Sequence, residues 1–115
     1  MAHEPGLTLL FRKNLAEKIV NGAKTATRRP SRPMVRPGGT YRITVDFFSY
    51  LPDRIKVNSL YRQRLGDMTP RDALDEGYAS LEEFRREWEV LYGRWEEGEA
   101  VWVVEFEHIG PDRNP

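Results

Sequence analysis

The side chains best suited to chemistry are concentrated between Lys24 and Arg29. Lys24 and Thr27 follow Gly22, a residue type that commonly ends a helix, and a bend there can bring the ammonium and the hydroxyl together. A lysine whose pKa is lowered by burial or by adjacent arginines can accept a proton from threonine, which is a weak nucleophile unaided. A Lys–Thr chemical pair is therefore one interpretation of this segment. The spacing alone favours the other, a solvated lysine and an ordinary strand threonine.

Arginines continue from this segment into a loop rich in proline and glycine, residues 29–39. Their planar guanidinium groups can hold a phosphate by two hydrogen bonds or stack on a base. The alternative is a solvated loop whose charges pair with acidic helices of the same chain. The arginines of this cluster are Arg28, Arg29, Arg32, Arg36 and Arg42.

The net charge of zero hides a strong asymmetry between the two halves of the chain. Residues 1–65 contain thirteen Lys and Arg against four Asp and Glu, whereas residues 66–115 contain five against fourteen. The halves therefore carry net charges of +9 and −9. Such asymmetry favours an anionic ligand for the first half, although pairing between the halves would absorb part of the charge.

Composition excludes several classes of site. The 115 residues fit one domain, residues 1–115, and the absence of cysteine excludes disulfides, thiolate catalysis and sulfur-ligated metals. With His3 and His108 as the only imidazoles, we expect no histidine triad, no metal site and no cofactor. No apolar run approaches the roughly 20 residues of a membrane span, and the N-terminus lacks a secretory pattern. We therefore expect a cytoplasmic protein without a membrane partner.

Hydrophobic periodicity predicts the elements that position these residues. Residues 7–11 form an apolar run suited to a short strand, and a helix follows whose apolar stripe includes Leu15 and Ile19. Alternation over residues 41–47 predicts a strand, and a second strand is expected over residues 55–65. Pro52-Asp53 predicts the turn between them.

The second half predicts two short helices and a final strand. Thr69 can cap a helix that ends near Glu76, a position from which a carboxylate can face inward, and Ser80 can cap the next helix. Residues 101–106 are strongly apolar, which favours a central strand. The apolar stripe of the second helix comprises Leu81, Phe84, Trp88 and Leu91. The order of elements indicates an α+β domain around a small curled sheet or barrel.

Several motifs of this chain, in order, resemble the ASCH domain, a PUA-like β-barrel superfamily linked to RNA. The first motif is Ile-Val-Asn-Gly-Ala-Lys-Thr-Ala-Thr-Arg-Arg at residues 19–29, followed by Pro37-Gly38-Gly39 before a strand. The later motifs are Met68-Thr69, Ala-Leu-Asp-Glu-Gly-Tyr at residues 73–78, Ser-Leu-Glu-Glu-Phe at residues 80–84 and Val-Val-Glu-Phe at residues 103–106. The resemblance covers roughly residues 8–107 and implies a PUA-like α+β fold.

One branch of this family, the small bacterial N4-acetylcytidine amidohydrolases, uses a Lys, Thr and Glu set without a metal. The resemblance places the proton acceptor on Lys24, the nucleophile on Thr27 and the proton donor on Glu76. The chain departs from that branch by a longer arginine- and proline-rich loop and a longer C-terminal helical part.

Three functional hypotheses remain open. The first is a binding module whose basic cleft receives RNA, a nucleotide or a nucleoside, with Lys24, Thr27 and Glu76 contacting the base. The second is an amidohydrolase that acts on an N4-acylated cytidine with the same three residues. The third is a protein-interaction module that uses the acidic helix. The candidate ligand-binding residues are Thr25, Arg28, Arg29, Arg32 and Arg36.

Overall fold

Within the part of the chain that the structure describes, five strands form one curled mixed sheet, to which three helices are added. The computed structural model describes residues 8–45 and 49–111. The elements are β1 (Thr8–Leu10), α1 (Lys13–Val20), β2 (Ala26–Arg29), β3 (Thr40–Thr44), β4 (Tyr50–Arg64), a 3₁₀ turn (Leu65–Asp67), α2 (Pro70–Asp75), α3 (Leu81–Tyr92) and β5 (Ala100–Pro111). The strand order is β1-β3-β4-β5-β2, with β1 parallel to β3 and the other pairs antiparallel. The predicted PUA-like α+β class is confirmed.

Helix α1 ends as the sequence predicts and thereby directs the chain toward β2. Gly22 adopts a positive φ of 85°, a conformation that costs glycine little. The amides of Ala23 and Lys24 both donate to the carbonyl of Lys18, at 2.8 and 3.0 Å. This closed turn places Lys24 beside the helix end instead of extending it into solvent.

Helices α2 and α3 begin at the predicted caps. The Thr69 hydroxyl accepts a hydrogen bond from the Asp72 amide at 3.1 Å, and the Asp72 carboxylate accepts one from the Thr69 amide at 3.0 Å. Ser80 accepts a hydrogen bond from the Glu83 amide in the same way, at 3.1 Å. Each cap satisfies amides that a helix start leaves without partners.

The apolar interior consists of two clusters on opposite sides of the β2–β5–β4 part of the sheet. The first lies between α1 and the sheet and includes Ile19, Ile43 and Val104, whereas the second lies beneath α2 and α3 and includes Phe84 and Trp88. Strand β5 contributes to both clusters and is paired on both sides, which confirms its predicted central position.

One strand was not predicted as an element, and one local prediction was wrong. Strand β2 was absent from the predicted elements, although Thr27 had the alternative interpretation of a strand residue, because four residues show no clear alternation and owe their strand form to pairing with β5. Pro52-Asp53 lies inside β4 and is not a turn, since the register with β3 shifts between Arg42 and Thr44 and this irregularity accommodates a proline. Predictions for His3, Leu7 and Phe47 concern positions outside the described residues.

Across the described part of the chain, none of the helices combines the length and apolar character that crossing a membrane requires.

Candidate functional site: a buried Lys–Glu pair at the end of an aromatic pocket

The segment before β2 is fixed by backbone hydrogen bonds to two other elements. The Thr25 amide donates to the Asp75 carbonyl at the end of α2, at 2.7 Å, and the Phe106 amide of β5 donates to the Thr25 carbonyl at 2.9 Å. The Thr25 side chain itself is exposed. These bonds hold Lys24 between the end of α2 and the sheet.

Lys24 is buried, with 2% of its surface exposed, and its ammonium group is fully hydrogen-bonded. Nζ donates to the Ala26 carbonyl at 2.6 Å, to the Glu76 carbonyl at 3.0 Å and to the Glu76 Oε1 atom at 2.8 Å. An ammonium has three hydrogens to donate, so all of them are engaged. The sequence predicted that Lys24 and Glu76 serve one site, and the structure places them in direct contact.

Glu76 is also buried, and its second oxygen faces another cation. Arg28 Nη1 donates to Glu76 Oε2 at 3.1 Å. Arg28 is in turn held by Gln63, whose Oε1 accepts from Nε at 2.9 Å, and by an ion pair with Asp72 at 3.5 Å. Because all of these partners belong to the chain, Arg28 positions Glu76 and has little capacity left for a ligand.

Burial determines the electrostatics of this network. Burial lowers the pKa of the Lys24 ammonium from its usual 10.5, and nearby Arg29 and Arg28 lower it further, although Glu76 opposes them. Burial acts to raise the pKa of the Asp72 carboxyl, but the hydrogen bond from the Thr69 amide and the charge of Arg28 outweigh it, so the net shift is downward.

Thr27 and Arg29 lie on the opposite face of β2 from Arg28. The Thr27 hydroxyl is buried and has one long contact, from Arg29 Nε at 3.5 Å. Arg29 donates from Nη2 to the Leu10 carbonyl at 2.8 Å, and its guanidinium lies 5.2 Å from the centre of the Phe11 ring. The Thr27 hydroxyl can therefore still donate to a ligand.

These groups meet at a pocket of about 450 Å³. Lys24, Thr27, Arg28, Arg29 and Glu76 contribute the polar part of its lining. Five aromatic side chains also line it, Phe11, Tyr78, Phe84, Trp88 and Tyr92, together with aliphatic residues such as Leu15. Burial, together with Glu87 and Glu76, raises the pKa of the Tyr78 phenol to about 12, so this tyrosine is neutral at physiological pH.

An ion pair between Arg12, at the start of α1, and Glu87, on α3, lies at this pocket. Both side chains are partly exposed, so the contact adds little stability. It links the two helices that border the pocket, α1 on one side and α3 on the other.

Comparison with solved structures identifies the architecture. The chain superimposes on the ASCH protein of Zymomonas mobilis with a TM-score of 0.69 at 16% identity, over 92% of this chain and 69% of that one. It also matches the ASCH domain of Lactobacillus crispatus, with a TM-score of 0.63 at 18% identity, over 84% of this chain and 71% of that one. This chain has the ASCH-domain fold.

A third structure with this fold, a DUF984 protein of Enterococcus faecalis, matches with a TM-score of 0.64 at 17% identity, over 85% of this chain and 68% of that one. Neither the protein-family models nor the curated proteins give a match to the sequence. At identities below a fifth, the ASCH-domain likeness concerns the fold, and the chemistry has to be argued from the pocket of this chain.

The structure separates the predicted site residues into two groups. Lys24, Thr27, Arg28, Arg29 and Glu76 all line the pocket. The remaining three, Thr25, Arg32 and Arg36, have exposed side chains and are not part of its lining. The pocket therefore uses only the first arginines of the basic segment.

Sequence reasoning missed the aromatic wall of the pocket. Phe84 and Trp88 were expected as core residues, and they do pack in the second cluster while also lining the pocket. Tyr92, which belongs to the motifs of the resemblance, was given no role in a pocket, although it follows Trp88 by one helical turn, a spacing that places both on one face of α3. That periodicity was the available signal.

Among residues 8–45 and 49–111, no cluster of three His, Asp or Glu side chains is suited to hold a metal ion.

Proposed function

We propose that this ASCH-fold domain binds a nucleoside, or the nucleoside part of a nucleotide or RNA, in the aromatic pocket. The observation that carries the proposal is that Lys24, Thr27 and Glu76 line the same pocket as five aromatic side chains. Flat heterocycles bind by stacking on apolar or aromatic faces and by hydrogen bonds along their edges. The pocket combines both kinds of surface.

The dimensions support a single small ligand. A volume of about 450 Å³ lies within the range of about 300–1,000 Å³ typical of small-molecule sites. Tyr78 and Phe84 pack edge to face with ring centres 5.4 Å apart, so this wall is already ordered without a ligand. A preformed wall reduces the entropy that binding would otherwise lose.

The polar end supports recognition of a base edge. The Thr27 hydroxyl can donate to a carbonyl oxygen or accept from an amine. The charged groups behind it, Lys24 and Glu76, satisfy one another at 2.8 Å and are fixed in place. A ligand amide or amino group therefore meets a rigid polar surface, which favours specificity.

Calorimetric titration with cytidine and N4-acetylcytidine tests the proposal. Leu15→Trp fills the pocket from α1 and should abolish binding, whereas Val20→Trp, on the exposed part of the same helix, should leave it unchanged. Binding that survives Leu15→Trp, or its absence in the unaltered protein, would contradict the proposal.

The second candidate function is hydrolysis of an N4-acylated cytidine. Two observations favour it: the lowered pKa of Lys24 and the Thr27 hydroxyl in the pocket wall. It ranks second because the three hydrogen bonds of Lys24 Nζ go to Ala26 and Glu76 and not to Thr27. Catalysis requires Lys24 to exchange one of these bonds for Thr27 Oγ1.

In this candidate mechanism, a proton first passes from Lys24 to Glu76 across their 2.8 Å contact. Neutral Lys24 then takes the Thr27 proton while Oγ1 attacks the acyl carbonyl carbon. The C–N bond of the amide breaks, and Glu76 gives its proton to the departing cytidine amine, which restores the ion pair of protonated Lys24 and ionised Glu76. Water then attacks the acyl-threonine ester by the same steps and releases the carboxylic acid.

Chromatography of N4-acetylcytidine after incubation with the protein tests this candidate. Thr27→Ala should remove the turnover while the domain stays folded, because one hydroxyl contributes only about 1 kcal/mol to stability. Thr25→Ala, which removes an exposed hydroxyl two residues away, is the matched control. Full activity of Thr27→Ala would exclude the nucleophile, and no turnover in the unaltered protein would leave binding as the function.

A further inference from the structure

A row of side chains extends from the pocket across three strands of the sheet. Arg29 of β2 pairs with Trp102 of β5, and Trp102 pairs with Arg62 of β4. Directly paired residues lie on the same face of a sheet, so these three side chains are neighbours on one face. Arg29 also lines the pocket. The row therefore begins at the pocket and reaches across two strand spacings, about 10 Å.

The same face carries the reactive residue of the pocket. Thr27 precedes Arg29 by two residues on β2, and side chains two apart in a strand point the same way. The register confirms a parallel row, in which Thr27 pairs with Val104 and Val104 with Leu60. The arginine row thus lies one row beyond the pocket on a continuous surface.

Trp102 holds two exposed guanidinium groups beside it. Those of Arg32 and Arg62 lie 5.0 and 4.9 Å from the centre of its ring, within the range of cation–π contacts. Such contacts use the face of a guanidinium and leave N–H edges free for hydrogen bonds to phosphate. Arg62 Nη2 donates one hydrogen bond to the Ala100 carbonyl, at 3.0 Å.

Several other cations that the structure describes are neutralised by carboxylates. Arg28, Arg71 and Arg94 each have a carboxylate partner. Within residues 8–45 and 49–111, Arg32 and Arg62 form no such ion pair. Ion pairs within the chain neutralise other arginines, whereas the positive charges of Arg32 and Arg62 are not neutralised in this way.

We propose that Arg32 and Arg62, held by Trp102, bind the backbone phosphates of a single-stranded nucleic acid whose base occupies the pocket. The inference rests on the proposed function and deepens it, since it assigns the ligand to a polynucleotide strand. A strand that enters the pocket by one base must pass over the adjoining surface, and here that surface presents two unpaired guanidinium groups. Contacts of this kind are made to phosphate irrespective of sequence and weaken as salt rises.

Binding of a cytidine-containing pentaribonucleotide, measured at several salt concentrations, tests the inference. In the Arg32→Gln/Arg62→Gln double variant the slope of log affinity against log salt should fall by about 1.4, since each phosphate contact on a single strand contributes about 0.7. Affinity for cytidine itself should stay the same. The matched control is Arg71→Gln/Arg85→Gln, which removes two exposed arginines, one of them also stacked on a tryptophan.

The outcomes separate this inference from the proposed function. An unchanged slope in the double variant, an equal loss in the control or no binding of the pentanucleotide overturns the inference. If cytidine monophosphate binds as tightly as the pentanucleotide and loses the same affinity in the double variant, the ligand phosphate belongs to a free nucleotide. That result overturns the proposal of a polynucleotide strand. Salt-dependent pentanucleotide binding without any cytidine binding retains the phosphate contacts and contradicts the pocket.

Discussion

Glu76 is the residue on which the polar end of the pocket depends. Its two carboxylate oxygens face Lys24 and Arg28, and all three side chains are buried. A buried ion pair is expensive to form, but removing one partner is worse, because it leaves an uncompensated charge. The buried charges of the three side chains therefore compensate one another, and no single contact accounts for the stability of the site.

Replacing Glu76 by glutamine should destabilise the protein strongly. Lys24 would lose its carboxylate partner and Arg28 would keep only its ion pair with Asp72, so we expect a loss of about 3 kcal/mol in the free energy of unfolding. Urea denaturation measures it. Glu89→Gln, at an exposed position of α3, is the control and should change stability little. Equal stability of the two variants would contradict the compensation argument.

Lys24 should release its proton at a lower pH than a free lysine, whose pKa is 10.5. Between its native pKa and 10.5 the unfolded chain binds more protons than the native one, so this group makes the free energy of unfolding rise with pH across that window. Carbon-13 NMR of labelled lysine Cε atoms measures the titration, with Lys24→Met to assign the resonance. A midpoint at or above 10.5 would contradict the burial effect.

The elements that form the site are short, and the residues at their ends position the Lys24 and Glu76 side chains. Lys24 lies between α1 and β2, and Glu76 is the residue at which α2 ends. Gly77 follows with a φ of +95°, and its carbonyl accepts from Lys18 Nζ at 2.6 Å. A side chain added at Gly77 would meet the Lys18 Cδ atom at 3.1 Å and the Lys24 Cβ atom at 3.4 Å.

Gly77→Ala should therefore cost more stability than Gly93→Ala. Both positions have a positive φ, which costs a non-glycine residue about 1–2 kcal/mol. Only at Gly77 does the new methyl group meet neighbours, and we expect about 1 kcal/mol more destabilisation there. Thermal denaturation of both variants measures the difference. Equal losses of stability in the two variants would show that the Lys18 and Lys24 side chains move away from the added methyl group without cost.

At this scale the sequence predicted helix ends well and strand pairing poorly. Caps such as Thr69 and terminators such as Gly22 act on adjacent residues, so their effect can be inferred locally. Strand β2 and the uninterrupted course of β4 through Pro52 depend on partners far along the chain. The aromatic wall was missed for the same reason, because a residue such as Trp88 can serve core and pocket together only once α3 is placed.

A chain with a net charge of zero can still present a basic surface, because its positive charges are not all paired with carboxylates. Part of the positive charge of the first half is neutralised internally, as Arg28 shows with Glu76 and Asp72, and Arg12 with Glu87. Arg32 and Arg62, which lie beside Trp102, form no such ion pair among the described residues, and Arg62 lies on the sheet face that carries Thr27 and Arg29. The predicted arginine cluster thus divides into a structural part and an exposed part.

Amide NMR of the labelled protein during titration with cytidine tests whether the pocket between the sheet and α3 binds a nucleoside. We expect saturable shifts of the Thr27, Glu76 and Trp88 signals, with the Gly98 and Ile109 signals unmoved. Shifts that do not saturate, or that map away from the pocket, would contradict such binding.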